Sequence, residues 1–534
     1  MAKYVFVTGG VCSGLGKGIT ASSIALLLKA KGYKVFMQKF DPYMNVDPGT
    51  MSPIQHGEVF VTADGCETDL DLGHYERFID EELNYTSNIT NGKIYSSVIE
   101  KERVGDFLGS TIQIVPHISN EIKNKIYEAG TSSGADIVIT EIGGTVGDIE
   151  SSVMMESLRQ FRLETGTQNS LFVHTTLVPY LFGSNELKTK PTQNSIIELR
   201  RLGIQPDIIV TRAPIDLGDA VKKKISLFGS IPVENIIEAK DVNNIYQIPI
   251  NFHKQHIEDI ILKQFGLKVT ISNLDTWENL IKTVENLDKE IEIALVGKYT
   301  ELEDAYLSVK EALKAAGYKY SAKVKINWVD SENLETKNCN LKEVFKNSQG
   351  IILPGGFGSR GIEGMIKAAE YARVNKIPYL GICLGMQIAV IEFARHVCGL
   401  TDASSREFDE LCPNPVIDLM ADQKAIINKG GTLRLGNYRC HITKGTLAYK
   451  DYKSEEILER HRHRYEFNNN YKDLMASKGL TISGINPESN LVEIIELEDH
   501  PHFIACQFHP EFKSRPTKPH PLFDSFVKAS IDKK

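Results

Sequence analysis

The hydrophobic pattern of the chain alternates short apolar runs with helical stretches, and it does so in two successive series. In the first series, the apolar runs cover residues 35–40, 135–142, 171–178 and 207–211. In the second series, they cover residues 291–297, 324–329, 351–353 and 379–383. Strands that alternate with helices indicate parallel sheets covered by helices on both faces. We therefore predict the α/β fold class, with two doubly wound α/β domains.

A single amphipathic helix is predicted between the two series. Asp275 is a candidate N-cap, and Glu278 follows three residues later. The apolar positions of this helix share one face: Trp277, Leu280, Ile281, Val284 and Leu287. A chain of 534 residues is longer than one hydrophobic core usually supports. We predict a first domain at residues 1–266, a linker helix at residues 267–290 and a second domain at residues 291–534.

The first apolar strand, at residues 5–7, runs into a loop with five glycines and one lysine, Lys17. Residues 20–31 then have the pattern of a buried helix, which Gly32 closes at its C′ position. Glycines let backbone N–H groups face an anion, the helix N-terminus adds partial positive charge, and Lys17 can reach the outer phosphates. The match to the usual nucleotide loop is imperfect, because Gly10 stands six positions before Gly16 and Gly18 follows the lysine. Nucleotide binding is the functional interpretation, and a structural glycine turn is the alternative.

In the second series, Cys383 lies between two glycines where an apolar run gives way to a helical pattern. A sharp turn from strand to helix exposes a nucleophile, and the helix N-terminus favours the reactive thiolate. A buried core cysteine is the alternative, since free cysteine is among the most buried residue types.

Two other stretches favour a catalytic role for this cysteine. His509 ends an apolar run and Glu511 follows two residues later, so the pair can act as a base and its orienting carboxylate. The glycine-rich residues 354–358 follow another predicted strand and offer backbone N–H groups of the kind that stabilise an oxyanion.

With these three motifs, residues 291–534 resemble the triad-type, or class I, glutamine amidotransferase family. The resemblance implies hydrolysis of L-glutamine to glutamate and ammonia through a thioester on Cys383, with His509 as general base and Glu511 as its orienter. It also implies that the backbone amides of Gly356 and Leu384 form the oxyanion hole. The remaining positions that this match implies for glutamine binding are Gly385, Met386, Gln387, Glu407 and Arg464.

The first half carries long and specific stretches that resemble the CTP synthase family, at residues 39–53, 55–61, 67–78, 141–150 and 188–193. This resemblance extends over essentially the whole chain, with a P-loop-like synthetase domain before the amidotransferase domain. It implies a ligase of pyrimidine biosynthesis in which ATP phosphorylates O4 of UTP and ammonia then displaces the phosphate to give CTP. Gly14 replaces a serine seen in some relatives, which bears on nucleotide affinity more than on the reaction.

The implied reaction brings two triphosphates into one cleft, so cations are required. Lys17 and Lys39 are the expected partners of the transferred phosphoryl group. Asp71 and Glu141 suit a Mg²⁺ ion that keeps several waters, with turn or capping carboxylates as the alternative. The resemblance implies ATP binding by Gly14, Leu15, Gly16, Lys17, Gly18, Ile19, Asp71, Lys240, Asp241 and Val242. It implies UTP or CTP binding by Ser13, Asp148, Ile149, Glu150, Lys188, Thr189, Lys190, Pro191, Thr192, Gln193 and Lys224.

Regulation and assembly also follow from the resemblance. It implies GTP as an allosteric activator, CTP as a feedback inhibitor and a homotetramer. Filament formation occurs among relatives.

Composition narrows the class of protein. The net charge of -8 and the pI near 6.0 give no reason to expect a nucleic-acid or membrane partner. The basic run at residues 460–464 is too short for a nucleic-acid patch in an acidic chain, and an ion-pairing edge is the simpler interpretation. Eight cysteines without a CxxC pair argue against a disulfide scaffold or a structural zinc site. With no apparent signal peptide or membrane span, we expect a soluble, cytoplasmic protein.

Two other functions compete with this interpretation. An amidating enzyme could direct the ammonia to a carboxylic acid, although residues 188–193 argue against that acceptor. A nucleotide-switched assembly protein with a vestigial glutaminase is the second alternative, and the intact Cys383, His509 and Glu511 argue against it. ATP consumption that depends on UTP would separate the UTP-aminating ligase from both of these alternatives.

Overall fold

The computed structural model describes residues 2–419 and 433–533. The chain divides into two compact units. The first unit contains residues 1–47 and 74–281, and the second contains residues 48–73 and 282–534. The segment of residues 48–73 therefore packs with the second unit, although its sequence lies within the first series of strands and helices.

The first unit is built on a seven-stranded parallel sheet. Its strands are β1 Lys3–Gly9, β2 Val35–Asp41, β3 Asn88–Thr90, β4 Ile137–Ile142, β5 Ser170–Leu177, β6 Ile208–Ala213 and β7 Ile236–Lys240. Their order across the sheet is β7-β6-β5-β1-β4-β2-β3. The strands read as near-continuous apolar runs because a parallel sheet is buried on both faces. This arrangement places the glycine loop at the carboxyl end of the central strand β1.

Helices connect and cover these strands. The longer ones are Lys17–Ala30, Asn91–Arg103, Ser119–Ser133, Ser152–Thr165, Lys190–Arg201, Asp219–Gly229 and Ile257–Gln264. Gly16 is the N-cap of the helix Lys17–Ala30 and has a left-handed φ of 86°, and Gly32 follows the end of the helix with a φ of 89°. Both positions favour glycine because a Cβ atom strains that conformation. The predicted buried helix with a closing glycine is confirmed.

The second unit is built on a nine-stranded mixed sheet. Its strands are β8 Lys289–Gly297, β9 Ala322–Asp330, β10 Gly350–Leu353, β11 Tyr379–Ile382, β12 Arg434–Ile442, β13 Glu456–His463, β14 Leu480–Ile485, β15 Val492–Leu497 and β16 Phe503–Cys506. The order is β9-β8-β10-β11-β16-β15-β14-β12-β13. The strands from β9 to β16 pair in parallel, and those from β16 to β13 pair antiparallel. The predicted two-domain α/β class is confirmed, and the antiparallel half extends the parallel sheet.

The helices of the second unit flank the parallel half. The longer ones are Leu307–Lys319, Ile362–Val374, Leu384–His396 and Pro521–Asp532. The helix Leu384–His396 is buried along nearly its whole length, which agrees with its mostly apolar sequence. A smaller sheet adds the strands Ala403–Ser405, Asn414–Leu419 and Tyr465–Phe467.

The helix predicted between the two series runs from Asp275 to Glu285. Trp277 is buried, packs against Phe78 and Tyr246, and donates from Nε1 to the carbonyl of Tyr246 at 2.8 Å. These contacts lie within the first unit, whose boundary falls inside this helix. No helix in the described ranges is long and apolar enough to cross a membrane.

Candidate active sites

Cys383 lies at the turn that the sequence predicts, between β11 and the helix Leu384–His396. Its φ of 52° is left-handed, a conformation that a non-glycine residue adopts only at a cost of roughly 1–3 kcal/mol. The side chain is buried, and its Sγ atom receives a contact from Gln507 Nε2 at 3.6 Å. The strained turn aims the thiol into the space between neighbouring strand ends, as a nucleophile requires.

His509 and Glu511 follow β16, which pairs directly with β11. The Nδ1 atom of His509 lies 2.7 Å from Glu511 Oε1, which leaves Nε2 as the nitrogen for Cys383. In the described chain Nε2 is buried and has no hydrogen-bond partner of its own. Burial lowers the pKa of His509, but the charges of Glu511 and Cys383 oppose it and raise the pKa to about 10. The site therefore favours a protonated His509 ring beside the sulfur of Cys383.

The glycine-rich residues 354–358 follow β10, the neighbour of β11 on the other side. We call them the oxyanion loop. A Cβ atom on Gly355 would lie 2.9 Å from His509 Cε1 and 3.7 Å from the Cβ of Cys383. Only glycine allows the loop to approach the pair so closely, because real Cβ atoms do not come within 3.0 Å of such a neighbour. Three parallel strand ends thus bring the three predicted motifs together.

The predicted glutamine-binding residues surround this triad in part. Gln387 is buried and donates to the carbonyl of Tyr465 at 2.9 Å. Glu407 accepts from the amide of Gly358 in the oxyanion loop at 2.7 Å, and burial raises its pKa. Gly385 and Met386 lie in the first turn of the helix after Cys383. Arg464 follows β13 and is half-buried.

A pocket opens over Cys383, His509 and the oxyanion loop. One of its walls comes from the segment of residues 48–73, through Pro53, Glu58 and Val59. The carboxylate of Glu58 accepts from the amide of Ser308 at 2.8 Å and from the hydroxyl of the same residue. This contact caps the first turn of the helix Leu307–Lys319. The sequence contained no sign that these residues line the pocket over Cys383, because they lie more than 300 positions before it.

In the first unit, the glycine loop is held by contacts on both sides. Lys17 donates to the carbonyl of Gly144 at 2.7 Å, and Val146 N donates to the carbonyl of Gly9 at 2.8 Å. A Cβ atom on Gly10 would lie 1.8 Å from Ser195 Oγ, on the helix Lys190–Arg201. The structure therefore joins the glycine loop, residues 143–150 and this helix at the carboxyl ends of β1 and β4, where open α/β sheets bind ligands.

A buried histidine that the sequence analysis missed lies behind the glycine loop. His174 in β5 bonds Thr8 Oγ1 through Nδ1 at 2.9 Å and Ser195 Oγ through Nε2 at 2.8 Å. Burial and the positive charge of Lys17 lower its pKa to about 3. The ring is therefore neutral and acts as a hydrogen-bonded support. A single histidine inside an apolar run carries no sequence signal for that role.

Lys39 in β2 and Glu141 in β4 are register partners on adjacent strands. Lys39 Nζ lies 3.7 Å from Glu141 Oε1 and 3.6 Å from Asp41 Oδ1, and all three side chains are buried. Tyr75 donates from its hydroxyl to Glu141 Oε2. Asp41 and Tyr75 were not predicted as site residues. Asp71, the other predicted metal ligand, starts the helix Asp71–Ile79 and belongs to the second unit.

A second pocket lies beside the glycine loop. Six predicted ATP-binding residues line it: Leu15, Gly16, Ile19, Lys240, Asp241 and Val242. It also contains residues that the sequence analysis missed: Arg212, Ile245, Ile248 and Phe252. Arg212 donates to Asp241 Oδ1 at 2.8 Å and to the carbonyl of Gly14 at 2.6 Å, and so joins the two walls. A pocket that combines apolar side chains with a few charged ones beside the glycine loop suits a small organic ligand.

The predicted uridine-nucleotide residues lie on the same unit. Thr189 precedes the helix Lys190–Arg201, which carries Lys190, Pro191, Thr192 and Gln193 in its first turn. Asp148 accepts from the amide of Thr145 at 3.1 Å, Ile149 is 87% exposed, and Glu150 follows it. Ser13 is exposed in the glycine loop, Lys188 bonds Glu186, and Lys224 is exposed on the helix Asp219–Gly229. The exposed Lys190 and Lys224 could pair with an anionic ligand.

Comparison with known proteins adds two family matches and many full-length relatives. Residues 3–267 match the CTP synthase N-terminus model, and residues 301–529 match the glutamine amidotransferase class-I model. The chain is 58% identical over 534 residues to a CTP synthase of Caldanaerobacter subterraneus subsp. tengcongensis, covering 100% of this chain and 99% of the relative. It is 55% identical over 532 residues to a CTP synthase of Bacillus subtilis, covering 100% and 99%.

Among solved structures, the chain is similar to the glutaminase domain of Trypanosoma brucei CTPS with bound acivicin. That similarity has 40% sequence identity and a TM-score of 0.43, and it covers 46% of this chain and 95% of the other.

Proposed function

This chain belongs to the CTP synthase family, and from that membership and the geometry above we propose which residues perform each part of its reaction. The chain is a glutamine-hydrolysing ligase: it uses ATP to aminate UTP to CTP through a 4-phosphorylated intermediate, with ammonia from glutamine. Its two predicted active sites lie in different units, each of which has its own sheet.

In the glutaminase reaction, the thiolate of Cys383 attacks the side-chain amide carbon of glutamine. The negative charge that develops on the amide oxygen is stabilised by the N–H groups of Gly356 and Leu384. His509, which Glu511 holds through Nδ1, gives its proton to the leaving ammonia. The thioester on Cys383 is then hydrolysed to glutamate. Gln387, Glu407 and Arg464 hold the amino-acid end of the substrate.

In the synthetase reaction, Lys17 and Lys39 neutralise the phosphoryl group that passes from ATP to O4 of UTP. Lys17 is the first residue of its helix, so the positive helix N-terminus acts with it on the same phosphates. Ammonia then attacks C4 and displaces phosphate. The adenine base occupies the pocket beside Lys240, Asp241 and Val242, and the uridine nucleotide lies toward residues 188–193.

Mg²⁺ is the proposed metal cofactor, with Glu141 as its protein ligand in the first unit. The donor set around Glu141 fits that ion, because Glu141 and Asp41 present hard carboxylate oxygens in a buried cluster beside Lys39. When bound, the ion would neutralise charge on the nucleotide phosphates. Lys39 supplies a second positive charge at the same place.

Regulation and assembly complete the proposal. GTP activates the glutaminase reaction, and CTP inhibits by binding near Asp148, Ile149 and Glu150. The family resemblance implies a homotetramer, and large apolar side chains exposed on the first unit are available for subunit contacts. They include Val104, Leu108, Ile149 and Phe182, which are 75–94% exposed. All eight cysteines are free, which supports a cytoplasmic location.

The observation that carries the proposal is the meeting of Cys383, His509 and the oxyanion loop at three adjacent strand ends. The test follows UTP conversion to CTP with glutamine and, separately, with an ammonium salt. Cys383→Ala should abolish the glutamine-dependent rate and leave the ammonia-dependent rate largely intact. Loss of both rates in a folded variant would contradict the assignment of two separate sites.

A further inference from the structure

Lys298 is a buried lysine for which the proposed reaction has no role. It follows β8 directly and is only 2% exposed. Its ammonium group donates to two backbone carbonyls, Phe357 O at 3.3 Å and Gly358 O. Burial lowers its pKa to about 8 although the charge of Glu407 opposes that shift. Burying a cation is costly unless it is hydrogen-bonded, so these two carbonyls are strong partners.

Both carbonyls belong to the oxyanion loop, which is also held from other sides. The amide of Phe357 donates to Tyr299 Oη at 3.3 Å, and the amide of Gly358 donates to Glu407 Oε1 at 2.7 Å. Among the described residues, no hydrogen bond involves the amide of Gly356. The outer part of the loop is thus fixed at four backbone atoms, and the amide proposed for the oxyanion hole is left for the substrate.

The stem of Lys298 packs against Gly356 itself. A Cβ atom on Gly356 would lie 3.4 Å from Lys298 Cδ and 3.3 Å from Leu384 Cδ2. Lys298 is itself anchored, because its own amide donates to Tyr306 Oη at 3.0 Å and its carbonyl accepts from Arg360. The lysine therefore connects a fixed strand end to the loop.

Two adjacent glycines make this support necessary. Gly355 and Gly356 can rotate their peptide units far more freely than other residues, so contacts on either side must set the direction of the Gly356 amide. Donors in an oxyanion hole act only when they are already oriented toward the developing charge. A loop fixed only at β10 would leave that direction undetermined.

We propose that Lys298 is a positioning residue for glutamine hydrolysis, which holds the oxyanion loop so that the amide of Gly356 faces the developing oxyanion. This inference rests on the proposed role of Cys383 and the loop. It assigns Lys298 no contact with glutamine.

The first test compares Lys298→Met, which keeps the length of the stem but removes the donors, with the wild-type chain in the presence of all nucleotides. Loss of one oriented oxyanion donor lowers kcat by about 100-fold or more. We expect that loss in kcat for glutamine hydrolysis, with the KM for glutamine changed less than about threefold. Lys367→Met is the matched control, because Lys367 donates to the carbonyl of Leu334 at 2.9 Å away from the loop. An unchanged kcat in Lys298→Met would overturn the proposal.

The second test separates positioning from general damage to the site. The sulfur of Cys383 adds to the carbonyl carbon of an aldehyde analogue of glutamine, and this addition creates an oxyanion. When the same sulfur is alkylated by iodoacetamide, iodide leaves and no oxyanion forms. In Lys298→Met, affinity for the aldehyde should fall by the same factor as kcat/KM, and the alkylation rate of Cys383 should stay within about twofold. Equal losses in both would overturn the proposal.

Tyr299→Phe provides a second variant in case Lys298→Met fails to fold. It removes the partner of the Phe357 amide and should reproduce the same selective loss at smaller magnitude. Retention of aldehyde affinity in both folded variants would count against loop positioning. A wild-type chain that neither hydrolyses glutamine nor binds the aldehyde would instead refute the proposed function itself.

Discussion

Glu67→Gln tests the buried ion pair that holds residues 48–73 within the second unit. Glu67 Oε1 accepts from Arg462 Nε at 2.8 Å, and the two side chains are 3% and 12% exposed. Arg462 also donates to the carbonyl of Gly49 at 3.0 Å and lies over the ring of Phe357. Two parts of one segment therefore converge on a single guanidinium group in the wall of the glutaminase pocket.

The size of the effect follows from burial. Removing one partner of a buried ion pair costs about 3–5 kcal/mol, because the other charge is left uncompensated. Glutamine keeps an oxygen that can still accept from Arg462, so we expect the low end of that range. At 1.4 kcal/mol per tenfold change, ~3 kcal/mol corresponds to roughly a 100-fold larger population of the open segment. Other anchors remain, such as Asn437 N to the carbonyl of Ala63 at 2.8 Å, so the opening should be local.

Amide hydrogen exchange measures this opening directly. Peptides within residues 58–68 should exchange roughly 100-fold faster in Glu67→Gln, while peptides from the core strand β11 should not change. Glu290→Gln is the matched control, because its pair with Lys325 is 48% and 53% exposed and is worth at most about 1 kcal/mol. That control should change exchange less than about fivefold.

A second background tests the cause. In Arg462→Met, Glu67 is a buried carboxylate without its cation, so Glu67→Gln should then stabilise the segment instead of opening it. Exchange in Glu67→Gln that stays within fivefold of wild type would refute the reasoning. So would the same acceleration with and without Arg462.

The remaining predictions concern the chemistry. Lys17→Ala should lower CTP formation from both nitrogen sources by about 100-fold or more, because the transferred phosphoryl group loses the positive charge beside it. Lys29→Ala is the control, because Lys29 lies on the same helix and pairs with Glu81. Ammonia-dependent turnover that survives in Lys17→Ala would show that the glycine loop is only structural. Glu511→Gln should lower the pKa of His509 from about 10, since the carboxylate that opposes the effect of burial is gone. NMR titration of labelled histidine measures that pKa. An unchanged pKa would contradict the charge pairing between His509 and Glu511. Glutamine hydrolysis should rise roughly 5- to 150-fold when GTP, ATP and UTP are all present, the range of typical coupling between sites; a glutaminase rate that ignores the nucleotides would refute the coupling.

The sequence by itself determined the features that depend on local order. Cys383 lies at a strand-to-helix turn because an apolar run, two flanking glycines and a helical pattern follow one another directly in the chain. The glycine loop and its closing Gly32 were predictable for the same reason. Parallel strands place their carboxyl ends at one edge, so three motifs at three strand ends were expected to meet.

Only the tertiary structure decided which distant segments support these motifs. His174, Lys298 and Glu58 are single polar residues in ordinary surroundings, and their roles arise from partners 21 to 250 positions away. The antiparallel pairing of strands β12 to β15 depends on side-chain packing between neighbouring strands, and the hydrophobic periodicity of the sequence does not show that packing. Residues 48–73 join the second unit because a buried ion pair and a helix cap there outweigh their place in the chain. Contacts between residues far apart in sequence depend on shape and charge in three dimensions, and no local pattern encodes them.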